Sequence, residues 1–382
     1  MKIAIIADNL GKNAPGVVFK NILSGLFEKI DFDIITSTMD YQASSNHRGV
    51  VKIIKQNKIP SWKLRTLFFI IFGFYHTQKF WAQKIQDILQ KGNYDIVISF
   101  MSSTFYASVM AADIYTSKSK AKHICYCVDA VPAPFPWEQS GLYRWAMKRL
   151  VRKYMKTLDV LCMTNKEMLS YELEIIKNPN IKQVVLPNPP KETSFRILPI
   201  EDITPTFVYA GKMYGLRNPD ALLGGFKMFL NNHPTAKILF VGSGSLESYV
   251  RKKFADILDN IEFISYTNDL ANIYRKCSAL IDVNANINND VFLSSKIISY
   301  LPYNRLIISE SGKGSPVRSL FNTSKTIIHV YHEAEEYYKA MEYCFLKSAT
   351  TDFSERNTYL RSMDINAATN TLKKVILENY ED

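Results

Sequence analysis

The chain has 382 residues, 47% of them hydrophobic and 22% charged, with a formal net charge of +11. That length suits two domains better than one core, and no run of about 20 apolar residues is present to span a bilayer. Five cysteines, an odd number with no metal-ligand spacing, fit buried small apolar residues in a reduced, cytosolic protein.

The N-terminus, MKIAIIADNLGKNAPG, lacks a signal-peptide profile; its short apolar stretch ends at Asp8 and reads as a first strand. The following turn carries Gly11 and Gly16 into a helix, but the spacing is not G-x-G-x-x-G, so a dinucleotide fingerprint is poorly supported. Further strand-like runs follow at FDIITS (32–37), DIVISF (95–100), KHICYCV (122–128), DVLCMT (159–164) and KQVVLP (182–187), separated by helical patterns.

Charge is unevenly placed over this half. Between Asp40 and Asp87 there is no acid, while Arg48, Lys52, Lys55, Lys58, Lys63, Arg65, Lys79 and Lys84 all fall there. The same window holds LFFIIFGF (67–74), flanked by Trp62, Tyr75 and Trp81. A second acid-free stretch, from Glu138 to Asp159, sets Arg144, Lys148, Arg149, Arg152, Lys153 and Lys156 beside Tyr143 and Trp145. LFFIIFGF alone fits a core helix with a basic face equally well; the two stretches together favour an anionic membrane surface. A nucleic acid would also suit the charge, but no nucleic-acid module is recognisable, so no such partner is expected.

LPNPPKETSFRILPIEDITP (186–205) breaks the rhythm with five prolines and reads as a linker. The alternation restarts with TFVYAG (206–211), AKILFVG (236–242), IEFIS (261–265), ALIDV (279–283), RLIIS (305–309) and KTIIHV (325–330), and 333–380 reads as helices. The expected fold class is α/β, with two Rossmann-like domains facing a cleft and helices at the C-terminus. The expected boundaries are 1–190, a linker at 191–205, a second domain at 206–355, and a C-terminal helical segment at 356–382 crossing back to the first domain. The default ligand site is the cleft, at the carboxyl ends of the strands.

Three loops of the second half carry chemistry. In YAGKMYGLRNPDALLGGF (209–226), a strand ends at Gly211, and Lys212 and Arg217 precede a helix opened by Asn218–Pro219. Two cations there can clamp a pyrophosphate; either alone is more often a solvated loop residue. FVGSGSLESY (240–249) places Gly242 and Gly244 between strand and helix, where glycine either lets a ligand approach or simply makes a tight turn. NNDVFLSSKIISYLPYNRLIIS (288–309) sets Ser294, Ser295 and Lys296 at a helix start, offering N–H groups, two hydroxyls and a cation to a phosphate. The bland alternative is an ordinary capped helix with a snorkelling lysine.

The order of YAGKMYGLRNP, ILFVGSGS, IEFISYTNDLANIYRKCSALIDV and VFLSSKIISYLPYNRLIIS resembles the C-terminal domain of GT-B glycosyltransferases. It is most similar to the large retaining group that includes sucrose synthases and bacterial polysaccharide and lipopolysaccharide transferases. ADNLGKNAPGVVFKNILSGL, CYCVDAVPAPFPW and DVLCMTNKEM are compatible with the N-terminal half of that group. The resemblance implies that Lys212 and Arg217 hold the donor diphosphate and that Ser294, Ser295 and Lys296 wrap its distal phosphate. It further implies Tyr266 near the nucleotide base, Asp129 near the acceptor and anomeric carbon, and Gly16 in the loop over the donor phosphates, with Gly211, Gly242 and Gly244 lining the donor site. The family's E-x7-E pair, the second of which holds the ribose, falls at about Val291 and Ser299, neither acidic, so ribose recognition either differs from the family's or uses the adjacent Asp290.

The resemblance implies a glycosyltransferase moving sugar from a UDP- or GDP-sugar to a membrane-associated glycan or lipid-linked acceptor with retention, in bacterial surface-polysaccharide synthesis. No cofactor and no metal are expected, since no D-x-D or His/Asp cluster stands in a suitable place; the expected location is cytoplasmic, peripheral on the inner face of the membrane. A catalytically silent GT-B binding subunit and a nucleotide-sugar epimerase are the alternatives.

Overall fold

The computed structural model describes every residue except 12, 41–48, 56–66, 68, 72–75, 104–105, 191, 193, 200–203 and 382, and the side chains of 76, 77 and 381. The chain divides into two compact units, Met1–Pro189 with Met363–Asp382, and Pro190–Ser362.

The first unit alternates strand and helix: β1 (Ile3–Leu10), α1 (Ala14–Leu26), β2 (Asp33–Met39), β3 (Val51–Ile53), α2 (His76–Gly92), β4 (Ile96–Met101), α3 (Ala107–Thr116), β5 (Lys122–Cys127), α4 (Gly141–Tyr154), β6 (Val160–Met163), α5 (Lys166–Ile176) and β7 (Lys182–Val185). The strands form one parallel sheet in the order β3-β2-β1-β4-β5-β6-β7. Strand order reverses at β1 and β4, the topological switch point of a doubly wound sheet. β1 and β4 are buried almost throughout, as a sheet covered by helices on both faces requires.

The short edge strand β3 lies inside the first basic, acid-free stretch, where Trp81 Nε1 donates to the carbonyl of Ile54 at 2.8 Å. Part of that window is therefore sheet, which its charge pattern concealed. Arg48, Lys58, Trp62, Lys63, Arg65, Phe68 and 72–75 of the same window lie outside the described residues.

The second unit contains β8 (Thr206–Ala210), α6 (Asp220–Leu230), β9 (Lys237–Val241), α7 (Gly244–Lys253), a 3-10 turn (Ala255–Asn260), β10 (Ile261–Ile264), α8 (Leu270–Tyr274), β11 (Ala279–Val283), α9 (Ser295–Tyr300), β12 (Leu306–Glu310), α10 (Pro316–Leu320), β13 (Ile327–Val330), α11 (Ala334–Lys347) and α12 (Arg356–Ser362). Its parallel sheet runs β10-β9-β8-β11-β12-β13, with the switch point at β8 and β11.

The proline-rich segment is not a free tether over its described part. Arg196 N donates to the carbonyl of Pro302, and Asn304 exchanges hydrogen bonds with the backbone of Leu198 at 2.7 and 3.0 Å. These contacts assign 194–199 to the second unit. The crossing back also comes later than residue 356: Arg356 is fully buried in the second unit, donating to Thr326 Oγ1 at 2.6 Å and to the carbonyls of Arg305 and Thr326.

The last helix, α13 (Ile365–Glu381), belongs to the first unit and lies on α1. Gly25 makes that packing possible, since a Cβ there would meet Thr369 Cγ2 at 2.7 Å. Lys29 ties the pair further, its Nζ donating to Thr369 Oγ1 and Asn370 Oδ1 at 2.6 and 2.7 Å. All five cysteines are buried and unpaired by disulfides.

Candidate functional site

The site grows from the switch point of the second unit. β8 ends at Ala210, and Gly211 turns the chain with φ +112°, a backbone conformation costly for any residue with a Cβ. A Cβ at Gly211 would also meet Lys296 Cε at 3.1 Å, so the turn and the lysine share one space. On the other side of the switch point, β11 leads through a loop to α9, whose first turn carries Ser295 and Lys296.

Between these parts lies a cavity of about 160 Å³. Gly211, Ser295, Lys296 and Ser299 line it together with Val241, Tyr266, Leu270 and Tyr274. The Tyr266 ring is 80% exposed, its hydroxyl donating to Asn268 Oδ1 at 2.9 Å. An apolar slot with a lysine in its lining suits a flat ring attached to an anionic group.

Lys296 Nζ sits 5.2 Å from the centre of the Tyr209 ring. Burial first, and the Arg217 charge second, push its pKa down to about 8, while Asp282 acts in the opposite direction. Arg217 stacks on Tyr214, its guanidinium 5.2 Å from the ring centre. A partly buried lysine whose pKa is held down further by a neighbouring guanidinium charge marks a place suited to an anion. Lys212 stands exposed on the loop just beyond Gly211.

The predicted residues therefore separate. Gly211, Tyr266, Ser295 and Lys296 line the cavity, and Arg217 acts on Lys296 through its charge without lining it. Ser294 plays a different part, because its buried hydroxyl donates to Asp282 Oδ1 at 2.6 Å and accepts from Lys296 N at 3.3 Å. It caps α9 and does not line the cavity. Asp290 is likewise buried, its Oδ1 accepting from Phe292 N at 3.2 Å, and it does not line the cavity. Gly242 turns the chain after β9 with φ +71°, its N–H on the carbonyl of Ile264; Gly244 opens α7 in open space.

Gly16 and Asp129 belong to the first unit. The Gly16 N–H is taken by Asn13 Oδ1 at 2.8 Å, and a Cβ there would collide with Asn9 Oδ1, so close packing explains this glycine. Asp129 follows β5 and accepts from Ser103 N and Oγ at 3.2 and 3.3 Å; burial raises its pKa.

Sequence reading missed Asp282, Tyr209 and Tyr300. The signal for Asp282 was present, an acid inside the apolar strand ALIDV. Tyr300 was hidden, because its role is a tertiary hydrogen bond from Ala210 N to its hydroxyl at 3.0 Å. Among the described residues no cluster of His, Cys, Asp and Glu could hold a metal ion, and no helix is long and apolar enough to cross a membrane.

No family model matches the sequence, and no curated protein matches it. Solved structures do match, over nearly all of each chain. A glycosyltransferase from Rickettsia africae aligns with 100% of this chain and 99% of its own, at 15% identity and a TM-score of 0.66. The lipopolysaccharide outer core galactosyltransferase WaaB gives 99% and 99%, 12% and 0.68. HepE from Anabaena, solved with UDP and glucose, gives 98% and 99%, 10% and 0.65. A putative UDP-N-acetylglucosamine 2-epimerase from Listeria monocytogenes aligns less closely, at 0.56 with 14% identity, covering 100% and 96%. The chain thus has the two-domain α/β GT-B fold, the fold of these bacterial glycosyltransferases.

Proposed function

We propose that the protein is a glycosyltransferase that takes sugar from a UDP- or GDP-sugar and passes it, with retention, to a membrane-associated glycan or glycolipid in bacterial surface-polysaccharide synthesis. The observation that carries this reading is a partly buried lysine, Lys296, in the lining of an apolar slot, with the Arg217 charge acting on it. As the glycosidic bond breaks, negative charge grows on the departing diphosphate, so cations fixed at its place favour the transition state over the ground state. The bond from the anomeric carbon to phosphate oxygen breaks while one to the acceptor oxygen forms. The acceptor proton passes to the departing phosphate, which makes a strong separate base unnecessary. Lys212 supplies a further cation from the loop, and Asp129 is assigned to the acceptor side.

The membrane acceptor rests on the first unit's surface. α4 buries Ala146, Met147, Leu150 and Val151 and leaves Leu142 and Trp145 65% and 55% exposed. Arg149 lies over the Trp145 ring, and Arg144 over the 66% exposed Phe135. Leu67 and Ile71 are exposed beside the buried Phe69, whose ring is 5.3 Å from that of Tyr143. Apolar side chains among cations fit an anionic lipid surface, at the cytoplasmic face of the membrane. Co-sedimentation with anionic vesicles is expected at low salt and lost at high salt. Replacing both Leu142 and Trp145 by alanine should weaken it at least about tenfold, given ~1.5–3 kcal/mol per buried large apolar side chain. Equal binding to neutral vesicles, or none to either, would count against this surface.

The activity is tested by nucleoside diphosphate release from a panel of UDP- and GDP-sugars, with and without a lipid-linked glycan acceptor. Acceptor-dependent release is the expected result. Turnover of donor without acceptor would instead favour an epimerase, a chemistry also housed on this architecture. UDP binding without any turnover would favour a silent binding subunit, which the serine at 299 in place of a ribose-holding carboxylate makes the second reading.

A further inference from the structure

We propose that Asp282 is the positioning residue of the diphosphate clamp, holding α9 and its lysine in place; this rests on the donor-site reading above. Asp282 is fully buried on β11, beside the switch point. Its Oδ1 accepts from Ser294 Oγ at 2.6 Å, and its Oδ2 from Asn284 Nδ2 at 2.9 Å and Ser309 Oγ at 3.0 Å. One carboxylate thus gathers donors from the start of α9, the end of β11 and β12. Hydrogen bonds to an ionised acceptor are about twice as strong as neutral ones.

The chain of contacts leads to the cation. Asp282 fixes the Ser294 hydroxyl, which accepts from the backbone N–H of Lys296. The far end of α9 is held by Tyr300, whose hydroxyl accepts from Ala210 N on β8. A six-residue helix is too short to hold its own shape in water. Here it is pinned at both ends to the two strands that flank the switch point. Its lysine consequently points into the cavity next to Gly211.

Charge works with geometry. The groups facing Lys296 are Arg217 from the loop after β8, Asp282 from β11 and the Tyr209 ring from β8. Without ligand, Lys296 and Arg217 repel one another, and the Asp282 carboxylate behind them offsets part of that repulsion. An apolar side chain of similar size would fill the strand without the desolvation cost of a buried charge. It would neither fix the cap nor support the ammonium.

The test is calorimetric titration of the full chain with UDP and GDP from pH 6 to 9. Asp282→Asn and Ser294→Ala are expected to weaken binding about tenfold or more, the scale of a lost cap together with a lost charged hydrogen bond. Ser309→Ala removes a donor from the same carboxylate but none from α9, and should stay within about twofold. Ser294→Thr, which keeps the hydroxyl, should restore binding. In Asp282→Asn the pH at which binding declines should move below that of the wild type, which damage to packing alone would not produce. Wild-type affinity and an unchanged pH midpoint in Asp282→Asn would overturn the proposal, as would equal losses in Ser294→Ala and Ser309→Ala. Should Asp282→Asn not fold, the Ser294 and Ser309 variants decide. If the wild type binds neither nucleotide, or Lys296→Ala binds as well as wild type, the donor-site reading itself falls, an outcome distinct from failure at Asp282 alone.

Discussion

Lys296→Ala is expected to lower kcat/KM at least about 100-fold, roughly 3 kcal/mol, the scale set by removing one preorganised donor from a developing negative charge. The loss should appear in kcat as well as in KM, because the lysine binds the departing diphosphate more tightly than the intact donor. The pH dependence has a definite sign. Burial and Arg217 leave the Lys296 pKa at about 8 in the free protein, so the ammonium is in place below that pH. Above it, an anion must bind together with a proton, and UDP affinity should fall with rising pH, by up to about tenfold per unit. On the acid side, the terminal phosphate of UDP loses charge below about pH 6. Binding is therefore expected to be strongest between these limits, and the alkaline decline should vanish in Lys296→Ala. A decline that persists unchanged in that variant would remove Lys296 from the clamp.

Arg305→Met is expected to cost the second unit about 3 kcal/mol or more, since each buried acceptor left unpaired costs ~1–3 kcal/mol. Arg305 is 1% exposed, at the start of β12. It donates through Nε to the carbonyl of Tyr274 at 2.8 Å, through Nη1 to that of Leu198 at 3.1 Å, and through Nη2 to that of Pro199 at 2.7 Å. It also reaches the carbonyls of Asn304 and Arg275 at 2.9 and 3.2 Å. One guanidinium thus joins the proline-rich segment to the end of α8, where Tyr274 forms a wall of the cavity. Scanning calorimetry should show the second unit melting on the order of 10 °C lower, at ~2–4 °C per kcal/mol for a domain of this size. A lysine there should recover little, because a single ammonium cannot serve carbonyls spread around a planar fork. An unchanged transition would show that water replaces the guanidinium at those carbonyls.

The strand runs were legible because parallel strands covered on both faces read as continuous apolar stretches between helical segments. Val51–Ile53 escaped because three residues at an edge carry too little pattern. The loop after β8 and the start of α9 were legible as cation-bearing turns, since glycine, lysine, arginine and a capping serine have strong local meanings. What local reading did not show is how the serine and the acid nearest to them are engaged. Ser294 and Asp290 look available in the sequence, yet each is buried and engaged with neighbours within its own unit.

The sequence by itself determined the parallel α/β class, the division into two similar halves, the basic and aromatic character of the first half, and the cations at the ends of the second half's strands. These follow from hydrophobic period, glycine and proline punctuation and charge, all properties of neighbouring residues. Only the tertiary structure decided which of those residues meet. The strand order brings β8 beside β11, so that the Arg217 charge acts on Lys296 although the chain separates them widely. It also turns Asp282 inward to hold Ser294, and folds the proline-rich segment onto Arg305. Burial and hydrogen bonding between distant segments set those roles, and neither leaves a periodic trace in the sequence.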